Sequence, residues 1–241
     1  MNKAEVEKRL KDFVKIMRRN YGPNLTFIIH HGSWATGEAK PDSDLDILSG
    51  LKKVGNTELL KLKKILREKE FLNFNVLLFS KIDMENYIPY GWHQFYYGAK
   101  LLYGKRPLPK PTKKQELLEI QKHADEIGFW GRYLFTHRHP RKRVVRSIYW
   151  RLKEVIICLK VWVNLKENKY PLTKKELKKY LSPKDKKLVE ISENWGVHKP
   201  KFLKNPDPVL LELALFSQRI LRRVKMQDAR VKNKIKIFKK R

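Results

Sequence analysis

The chain has 241 residues, enough for one large or two modest domains, and 41% of them are apolar, enough for real cores. Its 55 Lys+Arg stand against 25 Asp+Glu, a net charge of +30 that favours polyanionic partners over cationic ones. No apolar run approaches the ~20 residues a bilayer span needs, the start is a charged helix rather than a leader, and the single Cys158 excludes an internal disulfide, so a reducing cytoplasm is expected.

The charge is unevenly placed. Positions 1–108 hold 19 Lys+Arg against 12 Asp+Glu, and the remainder holds 36 against 13. A heat-adapted, Lys-rich composition would explain the 33% of charged residues, but such enrichment normally raises Glu along with Lys. The imbalance favours a nucleic acid or another polyanion as partner.

Residues 2–20 place Val6, Leu10, Phe13, Val14, Ile16 and Met17 on the apolar side of an amphipathic helix. Thr26 to His31 is apolar and β-branched, which predicts a strand. Gly32 then allows an unusual backbone turn, and Ser33 is the expected N-cap of a short helix. A strand that ends this way leaves backbone N–H groups at a positive helix end, where a phosphate can sit. A ten-residue spacer separates Ser33 from Asp44-Leu45-Asp46. On a strand, Asp44 and Asp46 share one face while Leu45 and Ile47 share the other. Two neighbouring carboxylates repel unless a cation neutralises them, and hard oxygen ligands suit Mg²⁺, or Mn²⁺, together with substrate phosphates.

Thr57–Lys69 is expected to be a helix, Phe71–Phe79 a third strand, Ile82–Ile88 a short helix and Ala99–Tyr103 a last strand. Between the last two lies an aromatic cluster of Tyr87, Tyr90, Trp92, Phe95, Tyr96 and Tyr97, which either packs the sheet edge or stacks on a base. Residues 105–112 are proline-rich and read as a linker between a first domain (1–104) and a helical bundle (113–229). The bundle's expected helices are Lys113–Phe135, Arg141–Asn168, Thr173–Tyr180, Lys184–Asn194 and Pro208–Asp228. Val155–Val163, interrupted by Lys160, reads as a buried helix face containing Cys158. Arg230–Arg241 carries seven Lys/Arg and reads as a basic extension. The run from His137 to Arg143 is either a phosphate-contacting loop or a solvated turn.

The Gly32-Ser33 turn, its spacer and the Asp44-x-Asp46 strand resemble the nucleotidyltransferase fold of the DNA polymerase β superfamily. The likeness is to the minimal and aminoglycoside nucleotidyltransferases, strong over residues 25–50 and traceable to about 105. It implies an α/β (α+β) domain with a mixed sheet, followed by an all-α bundle. It also implies transfer of a nucleoside monophosphate from an NTP, ATP by default, to an acceptor hydroxyl. Gly32 and Ser33 would hold the triphosphate, and Asp44 and Asp46 would bind Mg²⁺ and serve catalysis.

Two positions depart from the family pattern. Thr36 stands where many minimal members have Arg. Asn75 stands where a third carboxylate is usual, and an amide cannot act as a base. Glu154 is a candidate base from the bundle, or an ordinary helical Glu. An aminoglycoside acceptor is disfavoured by the +30 charge, so RNA, tRNA or a protein hydroxyl is expected. A nucleotide- or RNA-binding protein with weakened chemistry is the alternative. The bundle is similar to HEPN and kanamycin nucleotidyltransferase C-terminal domains, and Arg132-x4-His137 has the spacing of HEPN ribonucleases, a second alternative from which Tyr133 departs.

Overall fold

The computed structural model describes residues 1–87, 91–106 and 108–238, with side chains to residue 227. The chain divides into two compact units, Met1–Pro111 and Thr112–Arg241.

The first unit is a four-stranded mixed sheet with helices on its faces. Its elements are α1 (Lys3–Tyr21), β1 (Leu25–His31), α2 (Gly32–Thr36), β2 (Leu45–Leu51), α3 (Asn56–Ile65), β3 (Phe74–Ser80), α4 (Lys81–Glu85), α5 (Trp92–Tyr97) and β4 (Lys100–Gly104). The strand order is β3-β2-β1-β4, with β2 and β3 parallel and the other pairs antiparallel. Alternation along the strands sends two sets of side chains to opposite faces. Ile28, Leu45 and Ile47 meet Leu10, Phe13 and Met17 of α1, while Phe27, Ile29 and Leu48 meet Trp92 and Phe95 of α5. The aromatic cluster is thus largely core packing. Tyr90 and Ile88 lie outside the described residues.

The second unit is all-helical: α6 (Lys113–Thr136), α7 (Arg141–Glu167), α8 (Lys174–Leu177), α9 (Pro183–Glu193), α10 (Trp195–Lys204) and α11 (Asp207–Phe238). Thr112 caps α6 with its side-chain oxygen, accepting from the Gln115 N–H, and Ser182 does the same for α9 from Asp185. Ile120, Ile127, Leu159, Leu213 and Phe216 are fully buried in one core. The α6–α11 crossing is very close: a Cβ on Gly131 would lie 2.9 Å from the Ala214 backbone nitrogen, and one on Gly128 would lie 2.4 Å from Ser217 Oγ. Cys158 is buried, and burial pushes its thiol pKa well up, which suits a core residue rather than a nucleophile.

Several expectations need correction. The helix expected over Thr57–Lys69 ends at Ile65, and the second half of Thr173–Tyr180 tightens into a 3₁₀ turn. The basic extension is not separate over its described part, because α11 runs on to Phe238; nothing after Pro208 breaks a helix. Residues 239–241 lie outside the described residues, as does Pro107 of the linker. Among the described residues, no helix is long and apolar enough to cross a membrane.

Candidate active site

The site forms where β1 ends. His31 of β1 stands opposite Asp46 of β2, and Asp46 stands opposite Asn75 of β3, so one row of three side chains crosses three strands on one face. Leu45 and Ile47, on either side of Asp46, are fully buried on the other face. This is why the polar–apolar alternation of the sequence places Asp46 correctly. Asp44 directly precedes β2 and is exposed, whereas Asp46 is half-buried.

Gly32 begins α2 with a left-handed backbone, φ +79°. Its Cα lies against Asp46: a Cβ there would come 2.1 Å from Oδ2 and 2.9 Å from Cγ. Only glycine fits both the angle and the space. The turn and the carboxylate expected from sequence are therefore in contact. Ser33 is not the N-cap, however. That position belongs to His31, because Gly32 already has helical bonding, and Ser33 sits in the first turn with its carbonyl accepting from the Gly37 and Glu38 N–H groups. Thr36 Oγ1 also bonds back to the Gly32 carbonyl at 3.2 Å, so it braces the turn instead of offering a cation.

Trp34 was not singled out in the sequence. Its indole N–H donates to the Ser43 carbonyl at 3.1 Å, tying α2 to the loop that carries Asp44. The same loop is closed by Ser43, whose Oγ accepts from the Lys40 N–H at 2.9 Å. Trp34 gives no sequence signal of this role, since its bond is to backbone.

Asn75 Nδ2 donates to Asp46 Oδ1 at 2.9 Å. Where a third carboxylate would repel Asp46, the amide instead donates to it and fixes its orientation. His31 packs edge-on against Phe95 with centroids 4.8 Å apart, and burial lowers its pKa to about 4, so the imidazole is neutral at pH 7. His30 points to the opposite face, also with its pKa lowered to about 4, by burial and by Lys100. There it lines a cavity of about 810 Å³ between α1 and the sheet, across the sheet from Asp46. Among the described residues, no group of three or more His, Cys, Asp or Glu could hold a metal ion. Oxygen donors that could take part in one are the Asp44 and Asp46 carboxylates, and Asn75 bonds to Asp46.

The candidates from the second unit are occupied otherwise. Glu154 pairs with Arg151 at 2.9 Å, and Arg151 also holds Glu126 at 3.1 Å. Arg132 Nη1 lies 3.1 Å from where a Cβ on Gly128 would be, whereas His137 Nδ1 lies 3.1 Å from the Tyr133 carbonyl oxygen. His137 thus turns back onto the last turn of its own helix.

Residues 10–90 match the family model described as a nucleotidyltransferase domain. Over residues 10–90 the first unit is similar to a nucleotidyltransferase domain. Spectinomycin adenyltransferase AAD(9) from Enterococcus faecialis, solved with ATP and spectinomycin, is similar in structure. The TM-score is 0.53 at 13% identity, over 89% of this chain and 98% of that one. At that identity the likeness concerns the fold, and it extends through the helical unit. A toxin–antitoxin structure with AMP-PNP matches 46% of this chain and 82% of its own, at 21% identity and a TM-score of 0.31. No curated protein matches the chain.

Proposed function

We propose that the chain is a divalent-metal-dependent nucleotidyltransferase. It moves a nucleoside monophosphate from an NTP, ATP by default, to a hydroxyl on RNA, and releases pyrophosphate. The observation that carries this reading is the contact between Gly32 and Asp46, which joins a turn suited to phosphate with a carboxylate suited to a cation.

Gly32 and Ser33 bind the triphosphate through their backbone. Asp44 and Asp46 hold Mg²⁺ or Mn²⁺; when bound, the ion supplies positive charge toward the phosphate oxygens. Asn75 orients Asp46. Trp34 keeps the Asp44 loop in register with the turn. The net charge of +30 supports a polyanionic acceptor over an aminoglycoside. A nucleotide- or RNA-binding role with weakened chemistry is the second reading; Asn75, which cannot take a proton, favours it.

The test is label transfer from each α-³²P-NTP, with Mg²⁺ or Mn²⁺, with and without total RNA, beside Asp44→Ala. Label that reaches RNA in the wild type and not in the variant is expected. Undiminished transfer by Asp44→Ala would overturn the assignment, and binding of NTP without transfer would favour the second reading.

A further inference from the structure

We infer that the C-terminal end of α6, the following turn and the start of α7 form a platform for single-stranded RNA, on which bases stack and phosphates pair. This rests on the RNA acceptor proposed above and names the surface that would hold it.

Between Glu126 and Glu154 the chain has no acidic residue and eight Lys/Arg. The stretch also holds six of the chain's aromatic residues, Phe129, Trp130, Tyr133, Phe135, Tyr149 and Trp150, and two histidines. Several of these rings are on the surface: Phe129 is 53% exposed, Phe135 47% and Trp150 48%. Exposed rings at this density are unusual unless something covers them.

The rings are ordered. Phe129, Tyr133 and His137 follow one another at helical spacing on one side of α6. Phe129 stacks on Tyr133 at 5.7 Å with the planes 6° apart, and Tyr133 stacks on His137 at 4.6 Å. His139 joins Tyr133 at 5.1 Å from the turn. Arg138, Arg141, Lys142 and Arg143, all exposed, follow directly. On α7, Lys153 lies 4.7 Å from the ring centres of both Tyr149 and Trp150.

A protein-docking face of this size would be poor in charge at its centre. Here cations alternate with rings. That is the composition of a surface that tracks a phosphate backbone and offers π-faces to unpaired bases. A duplex hides its base faces and would use the cations alone.

The test uses the full chain without NTP or metal, so a failure of transfer chemistry leaves it readable. Anisotropy of a labelled twelve-residue oligouridylate reports binding. Phe129→Leu with Tyr133→Leu keeps the apolar bulk and removes the stacking faces. It should weaken oligouridylate by about tenfold, within the range for one or two lost stacks, and leave inorganic polyphosphate unchanged. Replacing Arg141, Lys142 and Arg143 by Ser should lower the salt slope by about 2, near 0.7 per phosphate contact on single strands. The control replaces the exposed Lys53, Lys63 and Lys64 by Ser and should change little. Unchanged binding in the leucine variant, equal loss in the control, or no binding by the wild type would each overturn the platform. Melting curves matching the wild type are required of every variant, and His137→Leu provides a second ring variant, expected to weaken oligouridylate in the same direction.

Discussion

Gly32 and Gly37 share one backbone angle, φ +79° and +80°, yet only Gly32 faces an obstacle. An alanine Cβ at 32 would sit 2.1 Å from Asp46 Oδ2, while nothing lies within 4 Å at 37. The left-handed backbone costs either alanine roughly 1–2 kcal/mol. At 32 the overlap adds about 1–3 kcal/mol if the site holds. If the site yields instead, the Asp46 carboxylate moves by about 1 Å, a displacement worth on the order of 10²-fold in rate. Gly37→Ala should therefore lower the melting temperature of the first unit by several degrees, at about 4–8 °C per kcal/mol. Its transfer should stay within a few-fold of wild type. Gly32→Ala should melt lower still and lose about a hundredfold in transfer. Circular dichroism melting and NTP label transfer, run well below both transitions, measure the two effects. Equal transfer losses in both variants, or wild-type transfer in Gly32→Ala, would refute the idea that the turn positions Asp46.

Three further outcomes are expected. Asn75→Asp replaces the donor to Asp46 with a charge, so it should melt lower than wild type in chelator and gain more from added Mn²⁺; an identical Mn²⁺ response would count against Asp46 as a ligand. His30 and His31 have pKa values lowered to about 4 by burial, from the ordinary 6.5. The unfolded chain binds more protons between those values, so stability is full above about pH 6.5 and falls as pH drops toward 4, by up to about 3 kcal/mol per histidine. Urea titrations at pH 7 and pH 4.5, with His30→Gln showing the smaller loss, check this. Finally, Asp185 is buried and holds Arg223 at 2.7 Å and Arg219 at 3.5 Å. Asp185→Ala should destabilise the helical unit by about 3 kcal/mol, read by urea unfolding.

The sequence made the site legible where backbone geometry is local. Alternation around Leu45 and Ile47 fixed which face Asp46 takes, and the glycine before Ser33 marked the turn. It was silent where the partner is distant backbone, as for Trp34 and Ser43. It also assigned no element to α10, where Gly196 and Pro200 are poor helix formers. Burial of Phe202 in the helical core outweighs the hydrogen bond that Pro200 gives up. The ring ladder of α6 was legible only as a count of aromatic and basic residues, because stacking depends on where the helix ends.

The glycine contacts of α6 bear on that ladder. Gly128 and Gly131 press one side of the helix against α11, so closely that a Cβ on Gly131 would meet the Ala214 backbone nitrogen at 2.9 Å, while Phe129 stands exposed between them in sequence. A helix so tightly backed has little room to recoil, so a ligand on its outer side meets rings that are already in place and forfeits less conformational entropy on binding. Adding a single methyl at Gly131, on the hidden side, should therefore loosen a surface that it never touches.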